Sequence, residues 1–261
     1  MKVTYLKHSG FLIEWEHCYW IFDYYQGKIP QLDEGRPIFV FCSHSHSDHF
    51  NPAVFALGRQ YPKVSYIFSS QVRSACRKLE RKSGGVCLTS EEIAQVCGKT
   101  EEGRVLSIPE VYFLAGRSET MFSDEAGEML KVFTLRSTDC GCAFLINYRG
   151  KTIYHAGDLH WWIWANESEA ANRQMTGNFK KEMEYVEGNT IDLAFVPLDA
   201  RLEETYGWGM SYFLEHAEVR HVFPMHFWDD FSVMDRYEAE YPLPAHTQFH
   251  KISSDGMSWE L

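Results

Sequence analysis

Three histidines and an aspartate crowd into six residues of this chain, His44-Ser45-His46-Ser47-Asp48-His49. In an extended or looping segment, side chains two apart project to the same side, so His44 and His46 can converge on one point. Asp48 and His49 follow where the chain must turn and can address a second point nearby. Neutral imidazole and carboxylate are donors that zinc, iron and manganese all accept. Only 12 of the 261 residues are histidine. Chance clustering is therefore a poor account of this stretch.

Something rigid has to deliver these side chains. The motif follows Ile38-Phe39-Val40-Phe41-Cys42, a short apolar run of β-forming residues that reads as a fully buried strand. Upstream, residues 3–7, 11–16 and 19–23 read as short strands joined by turns at Ser9-Gly10 and Glu16-His17. Downstream, Pro52 to Gln60 predicts a helix with proline in its first turn, Val64 to Ser69 a strand, and Ser70 to Lys82 a helix ending at Gly84-Gly85. Its basic pairs Arg77-Lys78 and Arg81-Lys82 read as a solvated face. Residues 86–135 read as successive strands with turns at Gly98, Gly103, Gly116 and Gly127. Cys142 to Tyr148 and Lys151 to His155 form a hairpin around Arg149-Gly150. Asn166 to Glu187 reads as helical with a break at 172–177, Ile191 to Pro197 as a buried strand, and Gly209 to Ala217 as a helix. His221 to Pro224 is a further strand, Tyr237 to Ala245 reads as irregular, and Phe249 to Leu261 supplies closing strands. Strands early in each half and helices late suit an α/β (α+β) protein built as a four-layer αββα sandwich. Nothing in the sequence marks a linker, so residues 1–261 read as a single domain.

Composition narrows the function. A formal net charge of −11 argues against a protein that grips nucleic acid through a basic surface, and gives no reason to expect an anionic membrane as partner. Seven irregularly spaced cysteines do not form a disulfide framework and favour reduced thiols in a cytoplasmic protein. No apolar run approaches the roughly 18 residues a bilayer span requires. These features leave a small-molecule substrate open as the partner without selecting it.

The His-x-His-x-Asp-His arrangement resembles the signature of the metallo-β-lactamase-fold hydrolases. Val3-Thr4-Tyr5-Leu6-Lys7-His8-Ser9-Gly10-Phe11-Leu12-Ile13 looks like the first hairpin of the branch containing ascorbate-phosphate lactonase-like proteins. His155-Ala156-Gly157-Asp158 and Pro224-Met225-His226 then fall in the order that pattern requires. The resemblance implies that His44 and His46 hold a first metal, that Asp48, His49 and His226 hold a second, and that Asp158 bridges them. It makes Asp48 and Asp158 the residues expected to serve catalysis, with hydroxide between the ions as nucleophile. It implies one or two Zn2+ ions, with Mn2+ or Fe2+ as alternatives, and hydrolysis of a small ester, lactone or phosphodiester. No Gly-x-Ser-x-Gly elbow suggests a serine nucleophile instead.

One expected ligand is absent. Where relatives carry a histidine after the mid-chain strand, this chain reads Arg136-Ser137-Thr138-Asp139. Either Asp139 replaces it, giving a more oxygen-rich first site, or that site is incomplete. Asp23 stands where the resembled fold carries an aspartate that orients a metal-binding imidazole; a surface aspartate is the other reading. His8 reads either as a residue near the metals or as a turn histidine. His155 reads as a strand-filling or proton-transfer group, and His160 as structural or as an added ligand. Trp161, Trp162 and Trp164 read as pocket wall, core or dimer contact, with Trp208 and Trp228 able to join them. His17, His216, His221, His246 and His250 have no motif context. Two functional alternatives remain: iron-dependent oxygen or sulfur chemistry on the same fold, and a non-catalytic metal-binding or sensor protein.

Overall fold

The computed structural model describes residues 1–98 and 105–261. The turn expected at Gly103 lies outside the described residues. In chain order the elements are β1 (Lys2–Lys7), β2 (Gly10–Glu14), β3 (Tyr19–Phe22), β4 (Ile38–Cys42), α1 (Leu57–Gln60), β5 (Val64–Ser69), α2 (Arg73–Ser83), β6 (Val86–Cys87), α3 (Ser90–Cys97), β7 (Val105–Leu106) and β8 (Val111–Leu114). They continue as β9 (Glu119–Ser123), β10 (Met129–Arg136), β11 (Cys142–Tyr148), β12 (Lys151–His155), α4 (Glu169–Met183), β13 (Thr190–Pro197), α5 (Trp208–His216), β14 (Glu218–Met225), α6 (Ser232–Glu240), β15 (Gln248–Phe249) and β16 (Ser258–Glu260). The chain divides into two compact units. Unit 1 is Met1–Ala115 with Ser123–Glu128 and Ser254–Leu261; unit 2 is Gly116–Phe122 with Met129–Ser253.

Each unit is built on a seven-stranded sheet. The unit 1 order is β16-β1-β2-β3-β4-β5-β8 and the unit 2 order is β15-β14-β13-β12-β11-β10-β9. The same plan governs both. In unit 1, β1, β2 and β3 pair antiparallel, after which β3, β4, β5 and β8 run parallel. In unit 2, β10, β11 and β12 pair antiparallel, after which β12, β13, β14 and β15 run parallel. This internal repeat leaves no trace in the residues. It is a repeat of strand direction, which many sequences satisfy. Parallel strands need long crossovers, and those crossovers carry the helices.

Burial follows the period of each element. Every residue of β4 is buried, as is every residue of β13 but the first; near-continuous apolar runs are what central parallel strands require. In unit 1, Val40 and Cys42 of β4 join Tyr66 and Phe68 of β5 in a core that includes Leu57 of α1, Cys76 of α2 and Ile93 and Val96 of α3. The alternate residues stack aromatic rings instead: Phe41 lies 4.8 Å from Phe22 in a stacked pair and 6.0 Å from Trp20 edge-on. All seven cysteines are free thiols. Among the described residues no helix is long and apolar enough to cross a membrane.

The structure corrects three readings of local structure. Ser90–Cys97 is a helix rather than part of a strand series, because Thr89 and Glu92 form a reciprocal capping box at its start. Helix α4 runs unbroken from Glu169 to Met183. Gly177 costs it roughly 1 kcal/mol relative to alanine, less than its packing returns. Ser232–Glu240 is a helix that reaches into the segment read as irregular, anchored by buried Val233, Met234 and Tyr237.

One histidine pair in unit 2 makes stability depend on pH. The His250 ring lies flat on Phe223, 4.2 Å between centroids, and its Nε2 is 3.0 Å from His221 Nδ1. Burial, reinforced by His221, pushes the His250 pKa down to about 4 from 6.5. Burial also lowers His221. Between those two values the unfolded chain binds more protons than the folded one, so stability falls as pH drops from about 6.5 to 4. One such group contributes at most about 1.4 kcal/mol per pH unit. Urea unfolding of chelated protein at pH 7 and pH 5 should show this loss, and His250→Phe, which keeps the ring contact, should reduce it. An unchanged difference would assign it to other groups.

Candidate metal centre

Most of the candidate donors lie just past the carboxyl ends of parallel strands, the position at which open parallel sheets present ligands, while His8 and Asp139 lie in the connections of the antiparallel pairs β1–β2 and β10–β11. In unit 1, β3 leads into Asp23 and β4 into Ser43 to His49. In unit 2, β12 leads to Asp158, β13 to Asp199 and β14 to His226.

Asp23 organises the unit 1 donors. Its side chain is wholly buried and its backbone N–H continues the ladder by donating to Phe41 O at 3.0 Å. Asp23 Oδ1 accepts the Ser43 backbone N–H at 2.7 Å. Asp23 Oδ2 accepts the Ser43 hydroxyl at 2.6 Å and His49 Nδ1–H at 2.8 Å. With its proton committed to Asp23, Ser43 Oγ accepts from His44 Nδ1 at 2.9 Å. One carboxylate therefore sets the tautomer of two imidazoles, directly for His49 and through a hydroxyl for His44. Both rings keep the Nε2 lone pair, which is the form a metal takes.

Two donor groups form in this unit. His44 and His46 bring ring nitrogens within 4.8 Å of one another, and so do the donor atoms of His8, Asp48 and His49. His8 is buried, with Nε2 3.3 Å from Asp48 Oδ2, and its backbone N–H donates to Tyr5 Oη at 2.7 Å. Burial alone would raise the Asp48 carboxyl, but the hydrogen bond from His8 and the neighbouring His49 outweigh it and hold it well below the usual range. His8 thus lies in the β1–β2 turn and is at the same time placed with the donors.

Unit 2 repeats the device with different partners. Asp139 and Asp158 bring carboxylate oxygens within 4.8 Å of one another. Asp158 Oδ1 is 3.6 Å from His226 Nε2, while His226 Nδ1 donates to Asp199 Oδ2 at 3.0 Å. Arg201 Nε sits 2.9 Å from Asp199 Oδ1, and its guanidinium lies over the rings of Trp228 (4.8 Å) and Trp164 (5.7 Å). Burial opposes ionisation of Asp199, yet the hydrogen bonds from His226 and Arg201 hold its carboxyl well below the usual range. Trp162 is buried, its indole N–H donating to the Asp158 carbonyl at 3.0 Å. Thr138 Oγ1 donates to the His160 carbonyl at 2.6 Å. The loops bearing Asp139 and Asp158 are therefore tied together.

The remaining expectations divide. His155 is buried and its Nδ1 accepts the Gly157 N–H at 3.2 Å, a strand-end role. His160 is wholly buried beside Gly209, where a Cβ would come within 2.3 Å of its ring, and burial brings its pKa down to about 3. Trp162 is core, while Trp161 packs on Phe179 and, edge-on, Trp208. Trp208 also lines a cleft of about 350 Å3 with Ile163 and Thr176. Sequence reasoning missed Asp199, Ser43 and Arg201. For Asp199 one signal was available: a carboxylate two residues beyond a buried strand.

The chain matches the Beta-lactamase superfamily domain over residues 2–174, two thirds of its length, and belongs to that family. Its fold is that of the metallo-β-lactamase class, mixed α/β with two large sheets and helices. A UPF0173 metal-dependent hydrolase of Pelotomaculum thermopropionicum is 26% identical over the whole of both chains. The metallo-beta-lactamase fold protein YhfI of Bacillus subtilis is similar in structure at TM-score 0.56 and 14% identity, over 99% of each chain. Igni18, a metallo hydrolase of the archaeon Ignicoccus hospitalis, is similar at TM-score 0.54 and 15% identity, over 100% of this chain and 98% of its own.

Asp23→Asn tests the hub of unit 1. The amide would turn donors towards a site that must accept three hydrogen bonds. Unfolding free energy should fall by roughly 1–3 kcal/mol and zinc affinity by about 10–100-fold, read by urea denaturation and zinc titration. Exposed Asp33→Asn is the control. Unchanged zinc affinity would remove Asp23 from the metal site.

Proposed function

We propose that this protein is a metal-dependent hydrolase acting on a small ester, lactone or phosphodiester. The observation that carries the reading is the pairing of donors at strand ends: His44 with His46, His8 with Asp48 and His49, and Asp139 with Asp158. Nitrogen and carboxylate donors in these numbers fit zinc, and the oxygen share fits manganese or iron as well. In this proposal His44, His46, Asp139 and Asp158 hold one ion. Asp48, His49 and His226 hold a second, with Asp158 shared and His8 as an added donor. The chemistry a divalent metal would supply there is a lowered pKa of bound water, towards roughly 7, and polarisation of a carbonyl or phosphoryl oxygen.

The chain's own residues do the rest. Asp23 and Asp199 fix the His49 and His226 rings by accepting their Nδ1–H protons, leaving Nε2 for the metal. Asp48, held ionised, is a ready carboxylate donor at neutral pH. Relatives described as metal-dependent hydrolases support the same reading. The resemblance of the first hairpin to lactonase-like proteins supports a lactone among the candidate substrates.

Protein purified without chelator should carry a transition metal by elemental analysis. Asp158→Ala and His46→Ala should abolish turnover on an ester, lactone and phosphodiester panel while unfolding stays cooperative. Absence of metal would overturn the proposal. Full metal occupancy with no turnover anywhere on the panel would favour the sensor alternative, and oxygen consumption by an iron-loaded preparation the redox one.

Asp139 allows a sharper test. With an oxygen donor in place of imidazole, the first ion should be held less tightly than the second and leave at lower chelator concentration. Asp139→His should narrow that gap, and Asp139→Ala should leave close to one metal per chain. Two metals released together, with Asp139→Ala indistinguishable from the parent, would show that Asp139 is not a ligand.

A further inference from the structure

A second concentration of charge lies in unit 2, outside the donor set. The turn before β9, the end of β10 and the last turns of α4 enclose a cavity of about 240 Å3 lined by Arg117, Arg136, Thr138, Asn178, Lys181 and Glu182, with Ser137 beside Thr138. Three cations face one carboxylate there, in a chain whose net charge is −11.

That carboxylate is already used. Glu182 is buried; its Oε1 accepts from Arg117 Nη2 at 2.6 Å and its Oε2 from the Arg136 backbone N–H at 3.0 Å. It therefore neutralises Arg117 and has no oxygen to spare. Among the described residues, the Arg136 guanidinium and the Lys181 ammonium have no ion-pair partner, and Arg117 Nε is buried without a hydrogen bond. The positions of the two arginines are also constrained. Arg117 holds a left-handed φ of +62°, costly for a residue with a Cβ. Arg136 lies across Gly116 so closely that a Cβ there would come within 2.5 Å of Arg136 Cγ. Surface cations that are merely solvated need neither feature.

We infer that this cavity binds a phosphoryl group, carried by a small phosphomonoester or present as the free ion. Two unpaired cations match a group carrying about −1.5 to −2 charges at neutral pH. The planar guanidinium fork of Arg136 suits two phosphoryl oxygens, Lys181 supplies a point charge, and the Asn178 amide adds a neutral donor. Thr138, in the cavity wall, precedes Asp139, so the occupant sits against the loop that bears a proposed metal ligand.

Isothermal titration of the purified protein with inorganic phosphate and with glycerol 3-phosphate tests the assignment. Saturable binding should weaken at least tenfold in Arg136→Gln and in Lys181→Gln, both exposed positions where folding is not at risk, and acetate should not compete. Asp158→Asn, which disrupts the proposed metal site, should leave this binding in place, so the two proposals fail separately. Tighter binding of the ester marks an ester as occupant and tighter binding of phosphate marks the free ion; either upholds a phosphoryl site. Binding that survives in both cavity variants and disappears in Asp158→Asn would place phosphate on the metals and overturn the inference, as would no saturable binding.

Discussion

A carboxylate with no exposure to solvent must be satisfied by the protein alone, and Asp23 is such a group. Its two oxygens receive a backbone N–H, a hydroxyl and an imidazole N–H. Each donor has a consequence beyond Asp23. The backbone N–H fixes the first residue after β4, so the loop leaves the sheet in one direction. The hydroxyl, having given its proton, can only accept from His44. The imidazole cannot rotate. The geometry of the histidine-rich loop is thus a consequence of solvating one buried charge, and the parallel pairing of β3 with β4 brings that charge within reach.

Unit 2 meets the same requirement at Asp199 by different means. There the carboxylate accepts from His226 and is clamped by Arg201, whose guanidinium is about half exposed and lies over Trp164 and Trp228. An arginine pairing a buried acid while its face rests on indoles is held by charge and by ring quadrupole together. The two hubs therefore differ in surroundings. Asp23 is enclosed by neutral partners, whereas Asp199 sits under a cationic, aromatic rim. That rim, made by Arg201, Trp164 and Trp228, lies beside His226.

How much of this was legible in the sequence depended on whether the partners are close in the chain. His44, His46, Asp48 and His49 stood out because a strand and a loop bring them together within six residues. The strands β5, β11 and β12 were readable to the residue from apolar runs ended by Gly, Pro or Ser. Asp158 and His226 became candidates through family resemblance. Asp199 lies 27 residues from His226, joined to it by parallel pairing of β13 with β14, and no local pattern announces such a partnership. Ser43 read as a small spacer because its role exists only once Asp23 arrives from 20 residues upstream. Helix α3 was hidden for a different reason: eight residues give little periodicity, and its start is written in the Thr89 and Glu92 side chains rather than in an apolar stripe.

Backbone strain shows who holds the donors in place. Among the described residues eight non-glycine positions have positive φ, and His8 (58°), Asp23 (40°) and His226 (63°) are three of them. Each costs on the order of 1 kcal/mol or more, and such conformations persist only where the surroundings over-determine them. The surroundings here are protein. His8 is pinned by Tyr5 Oη, Asp23 by its bond to the Phe41 carbonyl and by its three donors, and His226 by Asp199. The units bury large cores of their own, so the energy that bends these residues comes from folding, unlike in small zinc domains where metal binding supplies it. A metal entering such a scaffold meets rings already turned and tautomers already chosen. Its binding energy is then not consumed in organising the chain. The proposed first site, with Asp139 in place of a histidine, would draw on the same preorganisation.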